Sequence, residues 1–445
     1  MTRLSILALA TAAAASLSAT QPQSSPVTAF VNVAVLPMDR DAVLREQTVV
    51  VRNGAIAEIG PAATVTVPEG AARVDAGGKF LMPALAEMHA HIPGGKAPDA
   101  AVERTLYLYV ANGIGTIRGM LGDPRHLVYR ERAAKGEVIS PRIYTSGPSF
   151  SGNSAPTKEA AVEMVEKQKA AGYDLLKIHP GVKRDVFDAL DAKADELGIP
   201  FAGHVPLDVG LHRALEAKYR SIDHLDGYVE ALSTTPMDSK MFGLNLVAQV
   251  DESKLPALVA ATRKAGTWMV PTQSLLEHWL NQDDPNAMAK WPEMKHVPAE
   301  QLQKWIEQKT SMTSQASAED RRKFLELRRR ILKALFDGGV PIALGSDAPQ
   351  TWNVPGFSAH RELKMLVTAG LTPFQALQSG TINVARYFGT DSSAGTVAKG
   401  KRADLVLLDA NPLQDIGNSS RIAGVMVNGR WLSRSTIDAA LATTP

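Results

Sequence analysis

Hydrophobic and polar positions change rhythm along this chain. Between residues 28 and 74, short β-branched pieces at 29–33, 48–51, 55–59 and 64–67 alternate with turn signals such as Asn53-Gly54 and Gly60-Pro61. Runs of that kind, bounded by such punctuation, predict strands. Comparable pieces return only at 404–408 and 425–431, so the two chain ends are expected to build one small β-sandwich domain from 27–79 plus 390–435. From 80 to 389 a different rhythm holds: a helical stretch closes on Gly or a short polar link, and a short apolar strand follows. Strands are expected at 79–82, 116–117, 142–145, 174–178, 199–204, 220–224, 268–270 and 340–344. Strands alternating with helices at this spacing mean parallel βα units. The predicted fold class is therefore α/β, a (β/α)8 TIM-like barrel over 80–389. Residues 279–330 are too many for one connection and too polar for core, and are expected to form a helical excursion over the barrel mouth.

The N-terminus follows neither rhythm. Arg3, an apolar stretch over 4–17, small residues to Ala19 and the polar run 21–26 have the order of a secretory signal peptide, expected at 1–19. The apolar stretch is shorter than the ~20 residues that span a bilayer. A secreted or periplasmic location follows as an expectation. Composition then removes other classes. None of the 445 residues is Cys, so thiolate metal sites, disulfides and cysteine nucleophiles are excluded. Charged residues make up 21% with a net charge of +2, so no basic surface is offered to nucleic acid, or to a membrane once the leader is gone. A small molecule is the expected partner.

Candidate chemistry sits where the predicted strands end. Four of the ten histidines directly follow apolar strands: His89 and His91, His204, and His224. In a parallel barrel such positions face the C-terminal mouth, where these folds do their chemistry. His89 and His91 are two apart in an extended segment, so both imidazoles lie on one side. Asp347, in Gly-Ser-Asp at 345–347, adds a carboxylate at the end of the last strand. Lys177 is the odd member, because an ammonium has no lone pair for a metal.

The run Phe-Leu-Met-Pro-Ala-Leu-Ala-Glu-Met-His-Ala-His at 80–91 resembles the strand-one signature of the amidohydrolase superfamily. The run 395–406, Gly-Thr-Val-Ala-Lys-Gly-Lys-Arg-Ala-Asp-Leu-Val, resembles its C-terminal β-domain signature. Asp-Leu-Leu-Lys-Ile at 174–178 is similar to the strand-four motif of the binuclear, carboxylated-lysine members related to Xaa-Pro and Xaa-Arg/Lys dipeptidases, imidazolonepropionase-like proteins and ochratoxin-hydrolysing amidases. Residues 111–118 and 360–363 add to the likeness. The chain departs from the pattern at Ala84 and Gly119, and at Pro206, where some dipeptidase relatives have a substrate-contacting Tyr. The resemblance implies that Lys177 reacts with carbon dioxide, becoming an anionic carbamate that bridges two divalent metals. His89, His91, Lys177 and Asp347 would hold one ion, and Lys177, His204 and His224 the other. Nitrogen and oxygen ligands without thiolate suit Zn2+, with Mn2+ or Co2+ as alternatives. Two such ions activate water and polarise a carbonyl, and Asp347 would be the catalytic general base. The implied reaction is hydrolysis of an amide, in a dipeptide or N-acyl amino acid. Relatives assemble as homo-oligomers, which is expected here too.

Hydrolysis of a cyclic amide, lactone or other ester on the same centre is the alternative. From another class, the chain could be an inactive scaffold used for binding, against which the complete ligand set argues. Tyr228, Trp352 and His360 follow ligand positions closely and are candidates to line the mouth, with packing as the equal alternative. Arg118 ends strand two and could receive a substrate carboxylate bidentately, or form an ion pair within the barrel. His179 could lie at the pocket wall. His126, His212, His278 and His296 are expected at the surface.

Overall fold

The computed structural model describes residues 27–235 and 239–443, so the leader expected at 1–19 lies outside the described residues. Five strands open the described chain: β1 (Val27–Val35), β2 (Leu44–Arg52), β3 (Ala55–Pro61), β4 (Ala72–Asp75) and β5 (Phe80–Pro83). Seven short ones alternate with helices: β6 (Leu85–Ala90), β7 (Ile114–Gly119), β8 (Arg142–Thr145), β9 (Leu176–Ile178), β10 (Phe201–Gly203), β11 (Ser221–Asp223) and β12 (Trp268–Val270). Three close the chain: β13 (Leu405–Leu408), β14 (Ile422–Val427) and β15 (Arg430–Ser433).

Strands from both ends form one sheet, ordered β15-β14-β13-β5-β1-β2-β3 with β4 on β1. Alternate side chains from both ends, among them Phe30, Val33, Val49, Leu81, Leu405, Leu407 and Met426, fill one apolar cluster. Two expectations are corrected here. Residues 64–67 form no strand: Pro61 and Pro68 bracket the run, and the strand forms at 72–75. Residues 80–83 are not the first strand of the barrel, because β5 pairs with β1 and β13 in the terminal sheet. The chain is apolar almost throughout 80–90, so no change of period marks its passage into β6.

The parallel strands pair in the order β6-β7-β8 and β9-β10-β11-β12. Bridges Ser146–Leu175, Met269–Ile342 and Ala90–Ala348 link these sets to each other and to the segment around 342–348. The architecture is TIM-barrel-like, with helices between successive strands. Helices Lys158–Ala171, Arg184–Leu197 and Leu255–Ala265 end on Gly172, Gly198 and Gly266, all left-handed, which is why glycine punctuates the sequence there.

The stretch expected as a polar excursion splits in two. Helix Ala318–Asp337 buries Phe324, Leu327, Ile331 and Leu335 in the main core at helical spacing. Only the part before it, with helix Ala299–Ser314, stands apart; it has its own apolar cluster of Met288, Met294, Trp305 and Trp352. Among the described residues no helix is long and apolar enough to cross a membrane.

Candidate metal centre

β6 and the turn after it present His89 and His91; Lys177 is the middle residue of β9, and His204 and His224 directly follow β10 and β11. Asp347 follows the segment bridged to β12. The structure brings all six together. His91 Nε2 lies 2.6 Å and His89 Nε2 3.6 Å from Asp347 Oδ1, and Lys177 Nζ lies 3.4 Å from His89 Nε2. The His89 and His224 rings are 4.6 Å apart, and those of His204 and His224 4.5 Å. One ligand atom from each of His89, His224 and Asp347 lies within 4.8 Å of the others. His224 and Asp347 hold left-handed backbones, φ 62° and 64°, an unfavourable conformation that is kept where function over-determines it.

Polar side chains stand behind three of these rings, hydrogen-bonded to His204 and His224 and at ion-pair distance from His89. Asp223 Oδ2 sits 2.8 Å from His89 Nδ1, Asp226 Oδ2 2.7 Å from His204 Nδ1, and Thr272 Oγ1 2.8 Å from His224 Nδ1. In His89 this leaves Nε2 facing Asp347 and Lys177, and the Nε2 of His224 is buried with no hydrogen-bond partner. Imidazoles oriented from behind, with an orphaned nitrogen in front, fit a metal. Burial pushes His89 and His224 well below the usual imidazole range and His204 down to about 3, with the Lys177 charge adding to each shift. The rings are therefore neutral, the state that ligation requires.

Lys177 is fully buried, and among the described residues it makes no salt bridge. Burial lowers its ammonium pKa, against the pull of Asp223 and Asp347. An unmodified lysine is thus poorly served by this pocket. Gly203 makes space for it: a Cβ there would stand 2.8 Å from Lys177 Cδ.

Sequence reasoning missed Asp223, Asp226, Thr272 and Glu87. The first two lie in the run Ile-Asp-His-Leu-Asp at 222–226 that carries His224, a signal available to inspection. Glu87, fully buried, accepts the N–H of His89 at 3.0 Å and that of Ser346 at 2.7 Å. Burial pushes its carboxyl up to about 8. Arg328 donates to the backbone carbonyl of His224 at 2.8 Å.

The expected substrate contacts are corrected. Arg118 is fully buried and is consumed by Met88 O at 2.6 Å, Ser221, Tyr387 and Asp223, so it receives no substrate. Tyr228 is buried with its hydroxyl 2.6 Å from Thr262 Oγ1. His360 is buried between Ser419 Oγ and the Asn112 carbonyl, both at 3.0 Å. Trp352 is packed between Trp291 and Trp305. His126 and His278 are also buried, whereas His212 is exposed and His296 half-buried. His179 stands beside the centre, its ring 5.2 Å from that of His204 and its Nδ1 2.8 Å from Ser149 Oγ.

Fold and site together define an α/β protein that gathers a divalent-metal ligand set at the C-terminal ends of parallel strands. Residues 80–432 match the amidohydrolase family, and the chain belongs to that family. It is 33% identical over 106 residues to the imidazolonepropionase of Shouchella clausii (strain KSM-K16), covering 22% of this chain and 23% of that protein. To the ochratoxinase of Aspergillus niger it is 36% identical over 80 residues, 18% of this chain and 16% of that one. The chain thus matches about a quarter or less of the length of these relatives. Among solved structures, a putative prolidase from Bifidobacterium longum superposes with a TM-score of 0.70 at 23% identity, covering 95% of this chain and all of that one. The A. niger ochratoxinase superposes at 0.64 and 18% identity, covering 92% and 96%. At these identities the likeness is one of fold.

Proposed function

We propose that the chain is a binuclear metal-dependent hydrolase that cleaves an amide bond, in a dipeptide or an N-acyl amino acid, on a (β/α)8 barrel joined to a β-sandwich. The observation that carries this reading is the convergence of four imidazoles and one carboxylate on a buried lysine. His89, His91, Lys177 and Asp347 would hold one divalent ion, most simply Zn2+, and Lys177, His204 and His224 the other. Bound there, the ions would polarise the scissile carbonyl and render a water nucleophilic at neutral pH.

The chain's own residues supply the rest. Burial favours the neutral amine of Lys177, the form that adds to carbon dioxide; the new N–C bond gives an anionic carbamate and releases one proton. Asp347, beside His91 and His89, takes the proton of the attacking water and delivers it to the leaving amine nitrogen. Asp223, Asp226 and Thr272 hold the imidazole tautomers. The names of the similar proteins, prolidase and ochratoxinase among them, support an amide over an ester.

The test is reconstitution with zinc and bicarbonate, metal analysis, and a panel of dipeptides, N-acyl amino acids and lactones. About two metal equivalents and amide turnover that Asp347→Asn abolishes are expected. Less than one equivalent, or turnover of lactones alone, overturns the reading. Secretion and homo-oligomer formation belong to the same proposal; the N-terminus of the protein from culture fluid or periplasm and its mass by light scattering check them.

A further inference from the structure

The segment after β11 carries a second feature beside the imidazoles. Met241, Phe242 and Gly243 are all left-handed, with φ of 52°, 60° and 87°. A run of such residues is costly, because only glycine adopts this conformation freely. Gly243 cannot be replaced cheaply, since a Cβ there would stand 2.7 Å from Val229 Cγ1. The strained turn delivers one side chain to the metal centre. The Phe242 ring lies 6.0 Å from that of His224 and 6.4 Å from that of His204. Its other neighbour is Trp279, at 6.1 Å, on the helix that follows β12. Trp279 is held in place by its indole N–H, which donates to the Thr351 carbonyl at 3.3 Å. Both rings are half-buried, so neither is spent wholly on the core. Loops from three strand ends thus meet in one aromatic wall beside two of the ligand imidazoles. The two rings are hydrocarbon apart from the indole N–H, which is already spent on the Thr351 carbonyl, and this sets the chemistry of the wall as apolar.

We propose that Phe242, backed by Trp279, determines specificity, and that the substrate is an amide bearing an aromatic or large aliphatic side chain on the part that lies over His204 and His224. This rests on the amide-hydrolase reading and names its substrate class. A wall of this kind discriminates by contact area, and the loss of a large apolar contact is worth roughly ten-fold or more in kcat/KM.

The experiment compares N-acetyl-phenylalanine, N-acetyl-leucine and N-acetyl-glycine, together with Phe-, Leu- and Gly-containing dipeptides, on the zinc-reconstituted wild type, Phe242→Ala and Phe242→Leu. Metal content and melting temperature are recorded for each. A ten-fold or larger loss of kcat/KM on the aromatic and leucine substrates is expected for Phe242→Ala, with glycine substrates changed less than two-fold and Phe242→Leu in between. Equal losses on all substrates in both variants, or no loss in either, overturn the proposal. Calorimetric binding of free phenylalanine against glycine reads the wall without turnover: tighter phenylalanine binding that Phe242→Ala removes is expected. Equal binding of the two amino acids sinks the wall even where amides are cleaved. Absence of amide turnover sinks the parent reading even where phenylalanine binds selectively.

Discussion

Ser346 donates to Glu87 twice, through its N–H at 2.7 Å to Oε1 and through its hydroxyl at 2.5 Å to Oε2. Glu87 Oε1 also takes the N–H of His89, so one buried carboxylate ties the strand carrying His89 to the loop carrying Asp347. Truncation leaves two backbone N–H groups unsatisfied in the interior, each costing about 1–3 kcal/mol, while the Ser346 hydroxyl retains Ser358 Oγ at 3.0 Å. Glu87→Ala is expected to lower the melting temperature and to lose bound metal. Glu87→Gln retains an oxygen for both N–H groups and an amide that can donate to Ser346 Oγ, so it should bind metal near the wild-type level. Thermal melts and metal analysis of the two variants decide it; equal damage in both would remove the geometric argument.

A second buried connection reaches Asp347 from the other side. Asn353 donates from Nδ2 to the Ser346 carbonyl, while its Oδ1 lies 2.9 Å from His278 Nδ1. Lys309, on helix Ala299–Ser314, donates in turn to the His278 carbonyl at 2.6 Å. The segment outside the barrel is therefore hydrogen-bonded through to the left-handed Asp347. Asn353→Ala is expected to cut kcat about 10- to 100-fold with KM within two-fold, since misplacement of a reacting group by about 1 Å costs that much. Asn353→Asp keeps the contact to His278 but turns the donor at Ser346 into an acceptor, and should be no better. Steady-state kinetics at matched metal content separate this from a simple loss of stability.

That six side chains would meet is legible in the sequence, because each lies in or shortly after a short apolar run and such runs alternate with helical stretches. What a strand-end position does not disclose is where a side chain turns. Arg118 points into the protein interior, where Ser221, Asp223 and Tyr387 consume its donors. Tyr228 and His360 spend their polar atoms on Thr262, Ser419 and Asn112, partners 34 to 248 residues away that no local pattern announces. The boundary at 80–83 is hidden for another reason: β5 and β6 are both buried, so they share one unbroken apolar run. Helix Ala318–Asp337 looks too polar for core because seven arginines and lysines fall in it, yet its apolar positions keep a helical stripe.

Gly203 links backbone conformation to the site. Its φ is 124°, and a Cβ there would lie 2.5 Å from the Ile178 carbonyl oxygen as well as against the Lys177 stem. Gly203→Ala must therefore move either β9 or Lys177, at a cost of about 1–3 kcal/mol. The expected result is a lower melting temperature together with a loss of bound metal. Retention of full metal content in a destabilised protein would show that Lys177 is not confined by Gly203.

Buried neutral histidines away from the metal centre give the fold an acid limit. Burial pushes His360 down to about 4, against 6.5 for an exposed imidazole. Its folded pKa is depressed, so below pH 6.5 the unfolded chain takes up a proton that the folded chain refuses. Stability is complete above that value and falls as pH drops toward 4, by about 2 kcal/mol between pH 7 and 5 for this one group. His278, pushed to about 3 by the same cause, acts in the same direction over the same range. Melting temperatures of the wild type are expected to fall steadily from pH 7 to 5. His360→Gln, which has no proton to gain, should start lower at pH 7, because the contacts to Ser419 and Asn112 are weakened, and then fall less steeply. Parallel curves for the two proteins would show that His360 is not a source of the acid sensitivity.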